Sequence, residues 1–490
     1  MKIFVLILGL VFFAGAEVGW AAAKADPFPS SQSSIQSIHI MRLSDGKTLY
    51  SKNEESLLIP ASVTKLFTAG ALLSKFKPNH TFKTRLYYTG PRENEKVKGD
   101  LVIVGDGDPL FTSEVLWQVS SDIEHLGVRE FSGDLIVDNS LFDKMDRDSS
   151  RKEGEQESEH AYDSPITAFG VNFNAIALAI GPNLKERMPA FVNVDPYPIR
   201  GIQVQNEIET VSEKERKSAA VNAFRKTLTS KKEVLVATGE IPVHSPLKKI
   251  YRSITNAELT AGEYVRAFFE SRDILIKGQV KEGKLPKDAK LLLEVPSYEL
   301  RRLVAGLNVY SNNYIADVLF KRLGAKFPKG GEVDAPGQGT FANGIYAMTQ
   351  FIKKDVGIST PFTLKNGSGL DPSNRVSAKQ ITSLLSYMEK RFDVFPEFLA
   401  SLPAFGWDGT LKDRFSEKEA EPYRGYVRAK TGTLSEPVAV ACLAGYFRHP
   451  KHGLVAFSIL ENGKSGKGQP SIYDLKFKQD RGLVAVIKSL

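Results

Sequence analysis

Residues 60–76 read PASVTKLFTAGALLSKF, and this stretch carries the strongest indication of both fold and chemistry. Its apolar residues recur over positions 63–73 at the spacing of a buried helix face, and the proline before them favours a helix start. Ser62 and Lys65 lie three positions apart, so on a helix their Cβ atoms are about 5 to 6 Å apart on one face. The amine of Lys65 can therefore reach the hydroxyl of Ser62, and an adjacent base is what a serine nucleophile requires.

Partner motifs further along the chain distinguish this Ser-x-x-Lys from its chance copies, which lie at Ser44, Ser74, Ser149 and Ser245. Ser311-Asn312-Asn313 lies between helical patterns, and it offers a hydroxyl to relay a proton and a carboxamide to bind a substrate amide. Lys430-Thr431-Gly432-Thr433 leads into a strand, where a lysine and two threonine hydroxyls suit a substrate carboxylate. Gly432 would let a ligand backbone approach closely.

With these three motifs in this order, the sequence resembles the penicillin-recognising serine DD-peptidases and β-lactamases, whose signature is the same trio. Lys65 and Ser311 are separated by residues 66–310, a longer insert than β-lactamases and the smaller carboxypeptidases have. In this the chain is similar to the penicillin-binding protein 4-type D-alanyl-D-alanine carboxypeptidase/endopeptidases, the class C low-molecular-mass penicillin-binding proteins of serine peptidase family S13. Further matches to that family are Gly99-Asp100-Leu101, Gly105 to Pro109, Asn366 to Leu370, Asn374-Arg375, Gly406 to Leu411 and Leu443 to Tyr446.

The resemblance implies an α/β protein with the DD-peptidase/β-lactamase fold, an antiparallel sheet flanked by helices, and a long inserted α/β plus β-rich module. The expected catalytic domain comprises residues 24–80 and 291–490, the inserted domain residues 81–188 and 250–290, and a small β-rich domain residues 189–249. Sequence patterning alone predicts hairpins over 35–51 and 438–460, helices near 112–126, 256–271 and 299–323, and a closing helix within 472–490.

The resemblance also implies a mechanism. Ser62 would attack the carbonyl of the penultimate D-Ala with Lys65 as base, and water would hydrolyse the resulting acyl-enzyme. The backbone N–H groups of Ser62 and Thr433 would form the oxyanion hole. Ser311 would pass a proton to the leaving amine, and Asn313 would hold the peptide.

By the same resemblance, Lys430, Thr431 and Thr433 would bind the terminal carboxylate. Lys430, as a nearby like charge, would also help to lower the pKa of Lys65. Penicillin would acylate the same serine and leave slowly.

One departure from the family concerns the stem peptide. Members that bind a diaminopimelate side chain often have Ser-Arg after Gly-Ser-Gly-Leu, where this chain has Asp371-Pro372. Arg375, three residues later, is the candidate substitute. The acidic residue expected in the insert has no clear match, although Glu157 and Glu159 are near. The preferred stem residue therefore stays open.

Composition and the N-terminus indicate an exported protein. A short positive start, an apolar run over residues 3–16 and Ala21-Ala22-Ala23 predict a signal peptide of residues 1–23, cleaved after about Ala23, and a periplasmic enzyme without a stable membrane anchor. The net charge of +8 is spread among alternating acids and bases, which disfavours nucleic acid as a partner. The single cysteine, Cys442, lies in an apolar run and is expected to be a packing residue.

Neither a cofactor nor a metal is expected, because the seven histidines are scattered and His449-x-x-His452 lacks further ligands. The predicted partners are peptidoglycan stem peptides, with β-lactams as inhibitors. A β-lactamase or esterase using the same trio is the alternative function, disfavoured by the long insert. A catalytically silent peptidoglycan-binding module is disfavoured because every motif residue is present. The balance of carboxypeptidase and endopeptidase activity, the oligomeric state and whose cell wall is cut stay open.

Overall fold

The chain is described by a computed structural model covering residues 26–148, 150, 152–153, 156–157, 159–229, 232–330, 337–466 and 468–490. The predicted signal peptide, residues 1–23, lies outside the described residues. The helices are α1 (Lys65–Phe76), α2 (Ser113–His125), α3 (Ala257–Glu270), α4 (Leu300–Val309), α5 (Asn313–Lys326), α6 (Phe341–Gln350), α7 (Ala378–Glu389), α8 (Phe395–Ala400) and α9 (Ile472–Ser489). Within the described ranges, no helix is both long and apolar enough to cross a membrane.

The strands range from two to eleven residues in length. They are β1 (Ser34–Arg42), β2 (Thr48–Lys52), β3 (Lys83–Tyr88), β4 (Arg92–Glu93), β5 (Lys96–Val97), β6 (Leu101–Val104), β7 (Glu130–Phe131), β8 (Leu135–Asp138), β9 (Lys152–Glu153), β10 (Gln156–Glu157), β11 (Ala175–Gly181), β12 (Phe191–Asp195), β13 (Ile202–Val211), β14 (Val221–Thr229), β15 (Lys232–Pro242), β16 (Lys248–Ser253), β17 (Leu275–Ile276), β18 (Val280–Glu282), β19 (Lys290–Pro296), β20 (Val427–Leu434), β21 (Val440–His449) and β22 (Gly453–Gly463).

The catalytic part is built on an antiparallel five-stranded sheet in the order β2-β1-β22-β21-β20. Side chains alternate between its faces, because successive residues of a strand point to opposite sides. On β21, Cys442, Ala444 and Tyr446 therefore join the core that contains α1, whereas Leu443 and Phe447 join the core formed with α9. This arrangement of one sheet between helical layers confirms the predicted fold class, and both predicted hairpins are present.

The sheet joins the two ends of the chain. β1 lies between β2 and β22, and it pairs with β22 along its whole length, from Ser34 opposite Gly463 to Arg42 opposite Val455. A buried hydrogen bond of 2.6 Å runs from the Ser34 hydroxyl to the Glu461 carboxylate, 427 residues away in sequence. Short-range patterns cannot predict this pairing, since it depends on residues from opposite ends of the sequence.

The inserted module has its own sheets and core. The strands β18-β8-β6-β3-β19 form one sheet, in which β6, β8 and β18 are parallel and α2 and α3 supply the apolar cover. β3 pairs with β19, so the chain enters and leaves the module on neighbouring strands. The boundary predicted between residues 290 and 291 falls inside β19. Two three-stranded sheets, β12-β11-β16 and β13-β15-β14, make up the β-rich part, which extends beyond the predicted residues 189–249 on both sides.

Candidate active site

Ser62 lies on a tight turn just before α1. Residues Ala61–Thr64 form a 3₁₀ turn, and Ala61 takes a left-handed backbone with φ of 47°. The sequence pattern predicts an α-helix from residue 63, and the 3₁₀ turn brings Ser62 and Lys65 closer to alignment, since residues three apart eclipse in that geometry. The Lys65 Nζ is 3.0 Å from the Ser62 Oγ, as the predicted nucleophile and base require.

Lys65 is fully buried, and hydrogen bonds hold its amine in place. Its Nζ donates to the Asn313 Oδ1 at 2.7 Å and to the Ser368 carbonyl at 2.6 Å, in addition to contacting Ser62. These two acceptors fix the amine beside the Ser62 hydroxyl, at a distance that allows a proton to pass between them.

The loop that supplies the Ser368 carbonyl is anchored by a buried carboxylate, which the sequence motifs did not identify. Asp317 of α5 is fully buried, and its Oδ1 accepts from the backbone N–H groups of Gly367 and Ser368, each at 2.9 Å. The hydroxyl of Thr68 on α1 donates to the Gly367 carbonyl at 2.8 Å. α5 and α1 therefore fix the loop of residues 366–370 from both sides, and the loop fixes Lys65.

Ser311 lies at a break between α4 and α5. The helical pattern predicted over 299–323 is two helices with the motif between them, because Ser311 has a left-handed φ of 57° and the side chain of Asn312 caps α5 by accepting from the Ile315 N–H. The break turns the Ser311 hydroxyl toward β20, where it accepts a 2.7 Å hydrogen bond from the Lys430 Nζ.

Lys430 and Ser311 thus form a second Lys–Ser pair beside the first. Lys430 is fully buried, and its Nζ also donates to the Thr431 carbonyl at 2.8 Å. Burial lowers the pKa of Lys430 well below its usual value, and the nearby charge of Lys65 lowers it further. The predicted contact of Lys430 with a substrate carboxylate stays a prediction.

The rest of the Lys-Thr-Gly segment packs against the Ser62 turn. A Cβ built on Gly432 would lie 2.6 Å from the Pro60 carbonyl oxygen, so the missing side chain admits the protein's own backbone. This contact packs β20 against the turn that carries Ser62, and the oxyanion hole expected from Ser62 and Thr433 stays a prediction. The Thr431 hydroxyl donates to the Thr410 hydroxyl at 2.8 Å. Substrate binding by Thr431, Gly432 and Thr433 stays a prediction.

Arg375 is tied to its own loop. Its Nη1 donates to the carbonyls of Pro372 and Asn374 at 2.6 and 2.8 Å, while Asp371 accepts from the Ser373 N–H at 2.7 Å. The Asp371-Pro372 departure therefore shapes this turn, and the guanidinium of Arg375 stabilises it. Its predicted role toward a substrate is not tested by these contacts.

An acid of the insert, Asp148, contacts the loop of residues 366–370. Asp148 accepts a 2.8 Å hydrogen bond from the Asn366 Nδ2. Glu159 instead accepts from the Arg225 N–H at 2.7 Å, and the side chain of Glu157 lies outside the described residues. The Tyr162 carbonyl accepts from the Asn313 Nδ2 at 3.2 Å, so the insert contacts the peptide-binding candidate directly.

Cys442 and the pair His449 and His452 lie on β21 and on the turn that follows it. Cys442 is buried and accommodated as a packing residue, as predicted, and burial raises the pKa of its thiol. His449 and His452 stack on the turn that joins β21 to β22. Among the described residues, no group of three or more His, Cys, Asp or Glu side chains is arranged to hold a metal ion.

Comparison with known proteins agrees with this geometry. The chain is 28% identical over 466 residues to the D-alanyl-D-alanine carboxypeptidase of Actinomadura sp. (strain R39), covering 91% of this chain and 81% of that protein. Its fold is similar to the crystal structure of penicillin binding protein 4 (dacB) from Haemophilus influenzae, with a TM-score of 0.73, 22% identity, and 94% and 96% of the two chains covered. A structure of that protein complexed with a β-lactam matches with a TM-score of 0.70 at the same identity and coverage.

The family itself is decided by a match to nearly the whole chain. Residues 21–475 match the profile of the D-Ala-D-Ala carboxypeptidase 3 (S13) family. The match includes both Lys–Ser pairs and the complete insert, and it confirms the resemblance inferred from the three motifs. The chain therefore belongs to the D-Ala-D-Ala carboxypeptidase 3 (S13) family of serine peptidases.

Proposed function

We propose that this protein removes terminal D-Ala from peptidoglycan stem peptides and also cleaves D-Ala cross-links, through an acyl-enzyme on Ser62. The observation that carries the proposal is the 3.0 Å contact between the Lys65 Nζ and the Ser62 Oγ, with the Lys430–Ser311 pair at 2.7 Å beside it. A nucleophile with its own base and a second proton-carrying pair on the leaving-group side are what acyl transfer to and from an amine needs.

The residues divide the reaction between them. As the Ser62 Oγ attacks the carbonyl of the penultimate D-Ala, its proton passes to the Lys65 amine. The C–N bond then breaks as the proton taken up by Lys65 passes through the Ser311 hydroxyl, which Lys430 orients, to the leaving amine. In the second half-reaction the Lys65 amine takes a proton from the attacking water and returns it to the Ser62 Oγ as the ester bond breaks. Burial lowers the pKa of Lys430, which favours release of a proton from its amine.

β-Lactams are proposed to acylate the same serine. The amide bond of a β-lactam presents a carbonyl to Ser62 as the D-Ala–D-Ala bond does, and the structurally similar Haemophilus influenzae protein has been solved with a β-lactam. The pattern of residues 1–23 supports export, and we place the enzyme in the periplasm, where this substrate lies.

Muropeptide profiling tests the proposal. Sacculi rich in pentapeptides and cross-links are digested with the mature protein or with Ser62→Ala, and the products are separated by chromatography. Loss of pentapeptides and cross-linked dimers only with the active protein is the expected result, and loss of pentapeptides alone would restrict the function to a carboxypeptidase. Unchanged sacculi combined with sustained hydrolysis of nitrocefin would replace the proposal by a β-lactamase.

A further inference from the structure

A groove of about 500 Å³ lies at the end of the catalytic sheet where β20 begins. We call it the aromatic groove, and its lining includes Leu399, Trp407, Arg424, Tyr426, Arg428 and Arg448. The side chains of Trp407 and Tyr426 are 62% and 56% exposed, which is unusual for large aromatic residues that share one concave surface. Two open aromatic faces next to three arginines indicate a binding surface with an apolar and an anionic component.

Hydrogen bonds and close packing hold the lining of the groove in place. Gly425 has a positive φ of 76°, and a Cβ there would lie 2.5 Å from the Trp407 ring, so the indole rests directly on the glycine. The Gly425 N–H donates to the Phe405 carbonyl at 3.0 Å, and the Arg424 Nη2 donates to the Gly406 carbonyl at 2.7 Å. One face of the indole is thereby fixed against the protein while the other stays open, and little order must be gained on binding.

The positive charge of the groove is largely uncompensated. Arg424 forms an exposed ion pair with Glu421 at 3.1 Å. Arg428 donates to the Leu402 carbonyl at 3.1 Å, and neither it nor Arg448 has an ion-pair partner in the described part of the chain. Guanidinium groups in this state can donate to the oxygens of a polar or anionic ligand.

The groove adjoins the strand that carries Lys430. Arg428 and Lys430 alternate with the core residues Val427 and Ala429 on β20, so both point to the α1 side of the sheet. At a rise of roughly 3.3 Å per residue, Arg428 lies about 7 Å along the strand from Lys430, and Tyr426 immediately precedes the strand. From the other side, the segment of Trp407 continues into Thr410, whose hydroxyl accepts from Thr431.

We propose that the aromatic groove binds the amino-sugar glycan strand that carries the stem peptide, an inference that rests on the proposed function. The apolar face of a sugar ring would stack on Trp407 and Tyr426, and the arginines would donate to its acetamido oxygens and to neighbouring carboxylates. A peptide strand is not the occupant, because Pro403 to Phe405 already cover this part of the β20 edge: the Phe405 N–H donates to the Val427 carbonyl, and the Ala429 N–H to the Pro403 carbonyl.

Binding of peptide-free glycan tests the groove separately from catalysis. Glycan strands stripped of stem peptides are titrated into the mature Ser62→Ala protein, with and without the added pair Trp407→Ala and Tyr426→Ala. The two added substitutions should weaken the affinity of the protein for glycan about tenfold or more, the loss typical of removing central aromatic anchors. Tyr473→Ala is the matched control, because Tyr473 is 72% exposed on α9 at the opposite side of the sheet.

Two further measurements keep the outcome interpretable. The same substitutions are also made in the protein with Ser62 intact, and fluorescent penicillin is used to count the folded fraction of each variant. The measured glycan affinity is corrected for this fraction. Arg448→Gln is a milder second variant and should weaken glycan binding chiefly at low salt. Equal glycan affinity in all variants would overturn the inference even if stem peptides are cleaved. Loss of glycan binding without any peptidase activity in the parent protein would instead overturn the proposed function alone.

Discussion

Removing the carboxylate of Asp317 should destabilise the protein and slow acylation together. Asp317→Ala leaves the buried N–H groups of Gly367 and Ser368 without their acceptor. Each buried unsatisfied donor costs about 1 to 3 kcal/mol, so the free energy of unfolding should fall by about 2 to 6 kcal/mol. Asp317→Asn keeps one acceptor oxygen but loses the charge, and it should lose about 1 to 3 kcal/mol.

The slower acylation follows from the contact between the loop and Lys65. The Ser368 carbonyl accepts from the Lys65 Nζ at 2.6 Å, and a displaced loop would displace the base from Ser62. A shift near 1 Å can reduce a rate about a hundredfold, so acylation by fluorescent penicillin should slow by about ten- to a hundredfold in the folded Ala variant.

Urea unfolding and stopped-flow acylation measure the two effects. Asp393→Ala is the matched control: Asp393 is a surface carboxylate that pairs with Lys77 and Arg391, and its loss should cost no more than about 1 kcal/mol. If Asp317→Ala unfolds within 1 kcal/mol of the parent protein and is acylated at the same rate, Asp317 does not position the loop and the reasoning is wrong.

Three other sites give sharp expectations. Burial raises the pKa of Asp108 to about 7, so its stabilising protonated form is lost as the pH rises through that value. The free energy of unfolding of Asp108→Asn, measured relative to the parent protein, should therefore rise by up to about 4 kcal/mol as the pH is raised from 4 to 8. A difference that does not change with pH would contradict this assignment. Gly369→Ala should abolish acylation and lower the melting temperature, because Gly369 has a φ of 78° and a Cβ there would lie 2.0 Å from the Ala61 carbonyl oxygen; near-normal acylation would count against the tight packing of this loop on the Ser62 turn. The thiol of Cys442 should react with Ellman's reagent only as fast as the protein unfolds, and rapid labelling of the native protein would refute its burial.

The chemistry of the site could be predicted where it depends on short-range spacing. Ser62 and Lys65 are neighbours on one turn, and Ser311-Asn312-Asn313 is a contiguous motif, so each could be identified from the sequence. The left-handed backbone of Ser311 could not, because serine seldom adopts it and only the packing between α4 and α5 imposes it.

Contacts between distant segments could not be predicted from the sequence. Asp317 follows Ser311 by six residues, yet its partners lie fifty residues further on, and nothing in a single sequence pairs them. The same is true of Asp148, which contacts Asn366 across 218 residues. Strand pairing and loop anchoring are decided by tertiary packing, to which local patterns are blind.

The two parts of the catalytic sheet are synthesised at widely separated times. β1 appears among the first residues, but its neighbour β22 and the lysine strand β20 follow some four hundred residues later, as the Ser34–Glu461 bond illustrates. A nascent chain therefore carries Ser62 without the strands that complete its site. The site therefore cannot form before β20 and β22 have been made, and closing so long a loop slows folding. The order of the strands along the chain thus prevents an incomplete chain from forming the site around Ser62.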